Sequence, residues 1–250
     1  MESEEPGGRD GRLGYVACVS YPRSGHHVTQ RVLEAYFGET FRHCEFYRTS
    51  PGECCKSFPC RDPTVTMSKC HDFGLCGLFG RGVRPPRSTR CLVLVRSFLD
   101  AAVSEYEMTR RDAPQLPDTA ASWKRFAWER TRYYRRFVSK WASGGDGDHR
   151  RLIRYEDLTA SPYDVLGGVV GWIDPSKPPD GERLGACIEG VSALEVHEGQ
   201  AVFVAGRGVQ SRRDLNRFRW FDPGLFADLE RTLAGVLRGL GYPMRFMGKA

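Results

Sequence analysis

Long apolar segments are missing from this sequence. No stretch approaches the roughly 18 consecutive apolar residues that a membrane-spanning helix needs. The first 12 residues are acidic and glycine-rich, with no apolar run behind a basic patch as a signal peptide would have. We therefore expect a cytoplasmic protein with no membrane partner, in which residues 1–12 form a flexible N-terminal segment.

Signatures of nucleic-acid binding are also missing. The chain has no zinc-finger or helix-turn-helix spacing, and its 37 lysines and arginines are scattered rather than grouped in a tract. Its net charge of +6 favours anions such as phosphate, sulfate or acidic glycans, without choosing among them. We predict that nucleic acid is not a partner.

Apolar residues and cysteines, by contrast, are plentiful. Hydrophobic residues make up 40% of the 250 positions, enough for one substantial core, and we predict a single domain over residues 13–250. The cysteines could bind zinc, form disulfides or be buried as free thiols. The spacing of Cys54, Cys55 and Cys60 is not the Cys-x-x-Cys that is usual in zinc sites, so we expect free thiols and no metal site. Five of the nine cysteines lie close together in the chain, at Cys44, Cys54, Cys55, Cys60 and Cys70.

Hydrophobic patterns predict alternating strands and helices. The β-prone runs cover residues 15–20, 64–69, 91–95 and 151–155. Amphipathic spacing predicts helices after the first and third runs, an aromatic-rich helix around Trp123 and a final helix from Pro223. Strands separated by helices indicate an α/β domain with a central parallel sheet flanked by helices.

The first predicted strand runs directly into the segment Tyr-Pro-Arg-Ser-Gly-His-His at residues 21–27. A loop between a strand and a helix start gathers backbone N–H groups and the positive end of the helix dipole, which suits phosphate or sulfate. Arg23 adds a full charge, although Gly25 could equally be a simple turn residue. The Gly-x-x-x-x-Gly-Lys-Ser/Thr loop is absent, which disfavours ATP and GTP.

This loop resembles the 5′-phosphosulfate loop, Pro-Lys-Ser-Gly-Thr-Thr, of sulfotransferases that use 3′-phosphoadenosine 5′-phosphosulfate (PAPS). A second motif of that family, an arginine at a strand end with a serine eight residues later, is matched by Arg96 and Ser104. The resemblance implies a P-loop-like sulfotransferase fold with features of cytosolic and carbohydrate enzymes. The cofactor-binding residues it implies in these two motifs are Arg23, Ser24, Gly25, His26, His27, Arg96 and Ser104.

Three further segments extend the resemblance. Lys69 and His71 look like the Lys-x-His segment that carries the catalytic histidine, and residues two apart in a strand point to the same side. Tyr155 begins a Tyr-Glu-Asp segment that implies an approach to the adenine end, although its two acids could equally cap or pair locally. Arg207 and Gly208 are similar to a late loop that closes on the 3′-phosphate.

The sequence departs from the family at the first loop. Arg23 stands where a lysine is usual, and it presents a planar fork rather than a mobile point charge. His26 and His27 replace threonines, which removes two hydroxyl donors. Either histidine could also compete with His71 for the role of base.

The resemblance implies transfer of a sulfuryl group from PAPS to a hydroxyl or amine of a small-molecule or carbohydrate acceptor, with 3′,5′-adenosine bisphosphate (PAP) leaving. His71 would be the general base, because an ordinary imidazole pKa near 6.5 suits neutral pH. Lys69 and Arg23 would stabilise the developing charge. We expect residues 41–63 and 109–122 to shape the acceptor pocket.

Two other functions remain open from the sequence alone. One is a small-molecule kinase with a variant phosphate loop, and the other is a non-catalytic module that binds a nucleotide or an anionic glycan. The spacing from Arg96 to Ser104 disfavours the kinase, and the presence of both Lys69 and His71 disfavours the module. The sequence identifies neither the acceptor nor the oligomeric state.

Overall fold

A five-stranded sheet forms the centre of the computed structural model, which describes residues 13–46, 55–77, 82–144, 147–192 and 214–248. All four pairings between neighbouring strands are parallel, in the order β2-β3-β1-β4-β5. The expected α/β fold with a parallel central sheet is confirmed. The strands are β1 (Val16–Ser20), β2 (His43–Glu45), β3 (Met67–Cys70), β4 (Arg90–Val95) and β5 (Arg150–Arg154).

Helices cover both faces of this sheet. Alternate residues of β1 enter different cores: Ala17 and Val19 pack with α2, α3 and α7, whereas Val16 and Cys18 pack with α1, α5 and α6. A parallel sheet buried on both faces explains why β1 reads as an uninterrupted apolar run. The helices are α1 (His26–Phe37), α2 (Phe98–Asp112), α3 (Ala120–Trp141), α4 (Tyr155–Ala160), α5 (Pro162–Ile173), α6 (Gly181–Ser192), α7 (Pro223–Thr232) and α8 (Ala234–Gly239).

The elements around the first and third predicted strands agree with the sequence patterns. β1, α1, β4, α2 and α3 are all present, and the aromatic residues of α3 lie in or against the core as expected. Among the described residues, no helix combines the length and the apolar character that crossing a bilayer requires.

Other predicted boundaries were wrong. The second predicted strand starts later, at Met67, and Tyr155 begins α4 rather than ending β5. The single helix expected from Pro223 is two helices, because Leu233 leaves helical geometry at φ −101° and ψ 6°. Four of the strands and α-helices, β2, α4, α5 and α6, were not predicted.

Candidate functional site

The loop between β1 and α1 curls tightly around the start of the helix. Arg23 and Gly25 both take left-handed backbone conformations, at φ 66° and φ 87°. A Cβ atom on Gly25 would lie 2.8 Å from Cδ2 of Tyr155, so this position requires glycine both for its conformation and for space. The loop therefore brings the N-terminus of α1, with its unpaired backbone N–H groups, to the carboxyl edge of the sheet.

Arg23 connects the two predicted phosphate motifs. Its Nε donates to Ser104 Oγ at 3.0 Å, and its Nη1 lies 3.3 Å from the sulfur of Met108. Its backbone carbonyl accepts a hydrogen bond from Arg96 Nη1 at 3.2 Å. Burial, followed by the neighbouring charge of Arg96, lowers the pKa of Arg23. Two arginines held this close together form a site that an anion would stabilise.

Arg96 is fixed from two further directions. Its guanidinium carbon lies 4.2 Å from the centre of the Tyr155 ring, and its backbone carbonyl accepts from the Tyr134 hydroxyl at 2.9 Å. The structure thus brings Arg23, Arg96 and Ser104 together, and we call these three residues the arginine side of the site. Tyr155 packs directly beneath it.

Two buried polar atoms, one next to the arginine side and one within it, have no protein partner in the described part of the chain. Ser24 is 1% exposed and Arg96 is 9% exposed, yet within the described ranges neither Ser24 Oγ nor Arg96 Nε has a hydrogen-bond partner. Buried polar atoms without partners are rare and call for an explanation. A hydroxyl, a guanidinium and a helix N-terminus are the groups that bind phosphate or sulfate oxygens, so the residues present fit an anionic ligand.

Of the two acids after Tyr155, Asp157 pairs locally, whereas Glu156 makes a contact that is distant in sequence. Glu156 Oε1 accepts from the backbone N–H of Ser97 at 2.9 Å, which fixes the start of α2. Asp157 pairs with Arg154 at 2.6 Å.

Lys69 lies at the end of β3 with its ammonium group between two partners. Nζ lies 3.1 Å from Oε1 of Glu45 on β2 and 3.1 Å from Nε2 of His27 on α1. An ammonium group can only donate, so Nε2 of His27 accepts. Burial lowers the pKa of Lys69, and the charge of Glu45 partly offsets this effect.

His71 follows β3 and points back to β1. Its Nδ1 is 2.8 Å from the backbone carbonyl of Ser20, which can only accept, so Nδ1 carries the proton and Nε2 keeps its lone pair. The Tyr133 hydroxyl donates to the carbonyl of His71 and fixes the backbone there. Burial, followed by the charge of Lys69, lowers the pKa of His71 to about 3. The ordinary imidazole pKa that the sequence suggested was therefore wrong for this environment.

His26 lies between the other two imidazoles. Its ring centre is 5.9 Å from that of His27 and 6.2 Å from that of His71. Its Nδ1 is 3.3 Å from both Cys18 Sγ and Ser20 Oγ, and burial lowers its pKa well below the usual range. Burial, followed by Lys69, also lowers the pKa of His27 to about 3. We call His26, His27, Lys69 and His71 the histidine side of the site.

The structure also reveals supporting residues that the sequence patterns did not single out. Glu45 orients Lys69, and Tyr133 and Tyr134 fix the backbones of His71 and Arg96. Asp72, fully buried, pairs with Lys140 at 2.6 Å and accepts from Trp141 Nε1 at 2.8 Å, which anchors the chain just after His71. These contacts join distant parts of the chain, so no local spacing could have indicated them.

Two predicted site residues, Arg207 and Gly208, and one cysteine, Cys54, lie outside the described residues. The eight cysteines that are described all carry free thiols. Within that same part of the chain, no group of three or more His, Cys, Asp or Glu side chains is placed to hold a metal ion.

Comparison with known proteins identifies the fold. No protein-family model and no curated protein matches the sequence. Among solved structures, mouse sulfotransferase SULT7A1 complexed with PAP is similar, with 16% identity, a TM-score of 0.61, and coverage of 91% of this chain and 86% of that chain. Retinol dehydratase in complex with androsterone and the inactive cofactor PAP matches with 16% identity, a TM-score of 0.59, and coverage of 90% and 80%.

A third similar structure is the sulfotransferase domain from the curacin biosynthetic pathway. It has 15% identity and a TM-score of 0.51, and the match covers 94% of this chain and 100% of that domain. The chain therefore has the sulfotransferase fold, which confirms the fold that the sequence motifs implied. At this level of identity the likeness establishes the fold alone.

Proposed function

We propose that this protein is a sulfotransferase that transfers a sulfuryl group from PAPS to a hydroxyl or amine of a small-molecule or carbohydrate acceptor. The observation that carries the proposal is the meeting of Arg23, Arg96 and Ser104 at the N-terminus of α1. The unpartnered buried atoms Ser24 Oγ and Arg96 Nε support it, since both suit an oxyanion.

Binding of the donor would use the arginine side. Arg96 and Ser104 would hold the 3′-phosphate, and the loop residues Arg23, Ser24 and Gly25 would hold the 5′-phosphosulfate with the N-terminus of α1. PAPS supplies an activated sulfuryl group, and two of the similar structures contain PAP, the product that such a transfer leaves.

Proton transfer would use His71. Its Nδ1 proton is directed to the Ser20 carbonyl, so Nε2 is the atom available to take a proton from the acceptor. His27 already uses Nε2 to accept from Lys69, and His26 is 4% exposed between β1 and α1. These arrangements favour His71 over both neighbouring histidines.

Because the pKa of His71 is low, its ability to accept a proton would depend on whether the donor is bound. Burial and the charge of Lys69 lower this pKa to about 3, and an anion bound near Lys69 and Arg23 would raise it again. The imidazole would therefore gain proton affinity when the anionic donor is in place. Lys69 and Arg23 would stabilise the charge that develops during transfer, without reorganising.

The residues around the base indicate which part of the site faces the acceptor. The half-buried Phe73 ring lies 5.2 Å from His71, whereas Phe46 is 6% exposed and stacks on Phe58 at 4.7 Å in the core. Phe73 is thus a better candidate than Phe46 to contact a phenol or a sugar ring.

Turnover of labelled PAPS against a panel of phenols, sugars and amines tests this function. His71→Ala should lower kcat by about 10²- to 10⁴-fold, since a general base contributes that much, while PAP affinity changes little. His149→Ala is the matched control, because His149 is exposed near the start of β5 and should leave kcat unchanged. If His71→Ala retained full turnover, the base would have to be another residue. Absence of transfer to every acceptor, with intact PAP binding, would favour the non-catalytic module.

A further inference from the structure

Two thiols lie side by side in the segment between β2 and β3. The Sγ atoms of Cys55 and Cys60 are 3.6 Å apart, and both residues are half-buried, so small reagents can reach them. The mechanism proposed above uses neither thiol. The contact brings together two residues from the cysteine-rich stretch that the sequence left without a role.

The surroundings of Cys55 favour its thiolate. The Ser57 hydroxyl lies 3.1 Å from Cys55 Sγ, and the backbone N–H of Arg61 donates to the same sulfur at 3.2 Å. Burial by itself would raise the pKa of Cys55, but hydrogen bonds from Ser57, Arg61 and Cys60 lower it to about 7. Burial raises the pKa of Cys60. The two thiols thus differ in the way expected of a nucleophile and a resolving partner.

We propose that Cys55 and Cys60 are a redox modification site, at which a peroxide oxidises the thiol pair to an intramolecular disulfide. The Cys55 thiolate attacks one peroxide oxygen, the O–O bond breaks, and Cys55 becomes a sulfenic acid while hydroxide leaves and takes up a proton as water. The Cys60 thiolate then attacks Cys55 Sγ, the S–O bond breaks, and a second water leaves. Two thiols lose two electrons and two protons, and one peroxide is reduced to two waters.

Closure needs only a local movement. The sulfurs must approach from 3.6 Å to about 2.0 Å, which is within reach of a loop that carries both residues. The same loop carries Phe58, which stacks on Phe46, the residue after Glu45. Movement of this loop would displace Phe46 and with it Glu45, which orients Lys69. A consequence that rests on the proposed function is therefore slower turnover in the oxidised protein.

Peptide mass spectrometry on the full chain tests the disulfide without any assay of turnover. After hydrogen peroxide and alkylation of the remaining thiols, we expect one Cys55–Cys60 cross-link that dithiothreitol reverses. Cys60→Ser should stop at a sulfenic acid on Cys55, trapped by dimedone, and Ser57→Ala should slow the oxidation. Cys187→Ser is the matched control: Cys187 is also half-buried, but burial raises its pKa, and this variant should form the cross-link normally.

Thermal melting of each variant establishes that it is folded before oxidation. Cys54→Ser should still give the cross-link, which assigns it to Cys55 rather than to the preceding residue. A cross-link through Cys44 or Cys54 instead, or thiols at 55 and 60 that both remain alkylatable after peroxide, would overturn the proposal. Both results are independent of whether the protein binds PAP.

Discussion

The two sides of the site are built from different chemistry. The arginine side uses the guanidinium groups of Arg23 and Arg96, whose planar forks match the oxygens of a phosphate or sulfate. The histidine side uses imidazoles that burial holds in the neutral form, next to the single ammonium group of Lys69. One side is therefore suited to holding a permanent anion and the other to moving a proton, and the loop from β1 to α1 joins them.

The largest effect that we expect is a loss of stability on acidification, and it comes from the histidine side rather than the arginine side. Three histidines have a pKa that is lower in the folded protein than in the unfolded chain, so unfolding takes up protons between about pH 6.5 and pH 3. Stability is thus greatest above pH 6.5, and it falls with decreasing pH by at most about 4 kcal/mol per pH unit. Glu105, whose pKa burial raises, opposes this trend by at most about one proton. Urea unfolding at pH 5.5, 6.5 and 7.5 measures the slope.

Two histidine variants test whether the buried imidazoles cause this pH dependence of stability. His26→Asn should reduce the proton uptake on unfolding by about one proton, because it removes one buried imidazole. His149→Ala, which removes an exposed imidazole, should leave the slope unchanged. A free energy of unfolding that stays constant from pH 7.5 to pH 5.5 would contradict the burial of neutral histidines.

A smaller effect should follow from removing the charge of Glu45. Glu45→Gln keeps the size of the side chain but removes the carboxylate that offsets the low pKa of Lys69. We expect kcat to fall about tenfold, the equivalent of about 1.4 kcal/mol, with PAP affinity nearly unchanged. Steady-state kinetics with labelled PAPS measures the first quantity and calorimetry the second.

Glu34→Gln is the control for that variant. Glu34 also lies close to a nitrogen-bearing side chain, with Oε1 2.6 Å from Nδ1 of His43, but in the described structure it contacts none of the residues of the arginine or histidine sides. Its kcat should remain that of the unmodified protein. Equal losses in Glu45→Gln and Glu34→Gln would show that the effect is not specific to Lys69.

The two motifs of the arginine side could be recognised in the sequence because each motif by itself is local, although the contacts of Arg23 with Arg96 and Ser104 are not. A strand, a tight loop and a helix start follow one another from β1 to α1, and the spacing from Arg96 to Ser104 spans one strand end and the first turns of α2. The strands β1 and β4 were equally readable, since burial on both faces leaves long apolar runs.

The histidine side could be read only in part. Lys69 and His71 were identified, but the pKa of His71 depends on burial and on Lys69, which spacing does not reveal. Glu45 belongs to β2, a strand of three residues that contains a histidine and a glutamate and gives no apolar pattern. The contacts that support His71, from Tyr133 and around Asp72, come from α3, more than 60 positions away in sequence.

Calorimetric titration with PAP, and with ADP in parallel, tests the central claim most directly. We predict that PAP binds about 10- to 100-fold more tightly than ADP, because a charge-assisted contact from Arg96 to the 3′-phosphate is worth about 1.5–3 kcal/mol. Arg96→Ala should abolish that preference. Arg90→Ala, at the opposite end of β4 where Arg90 lies 4.2 Å from the Trp172 ring, should keep it. Equal affinities for the two nucleotides, or a preference that survives in Arg96→Ala, would contradict the account.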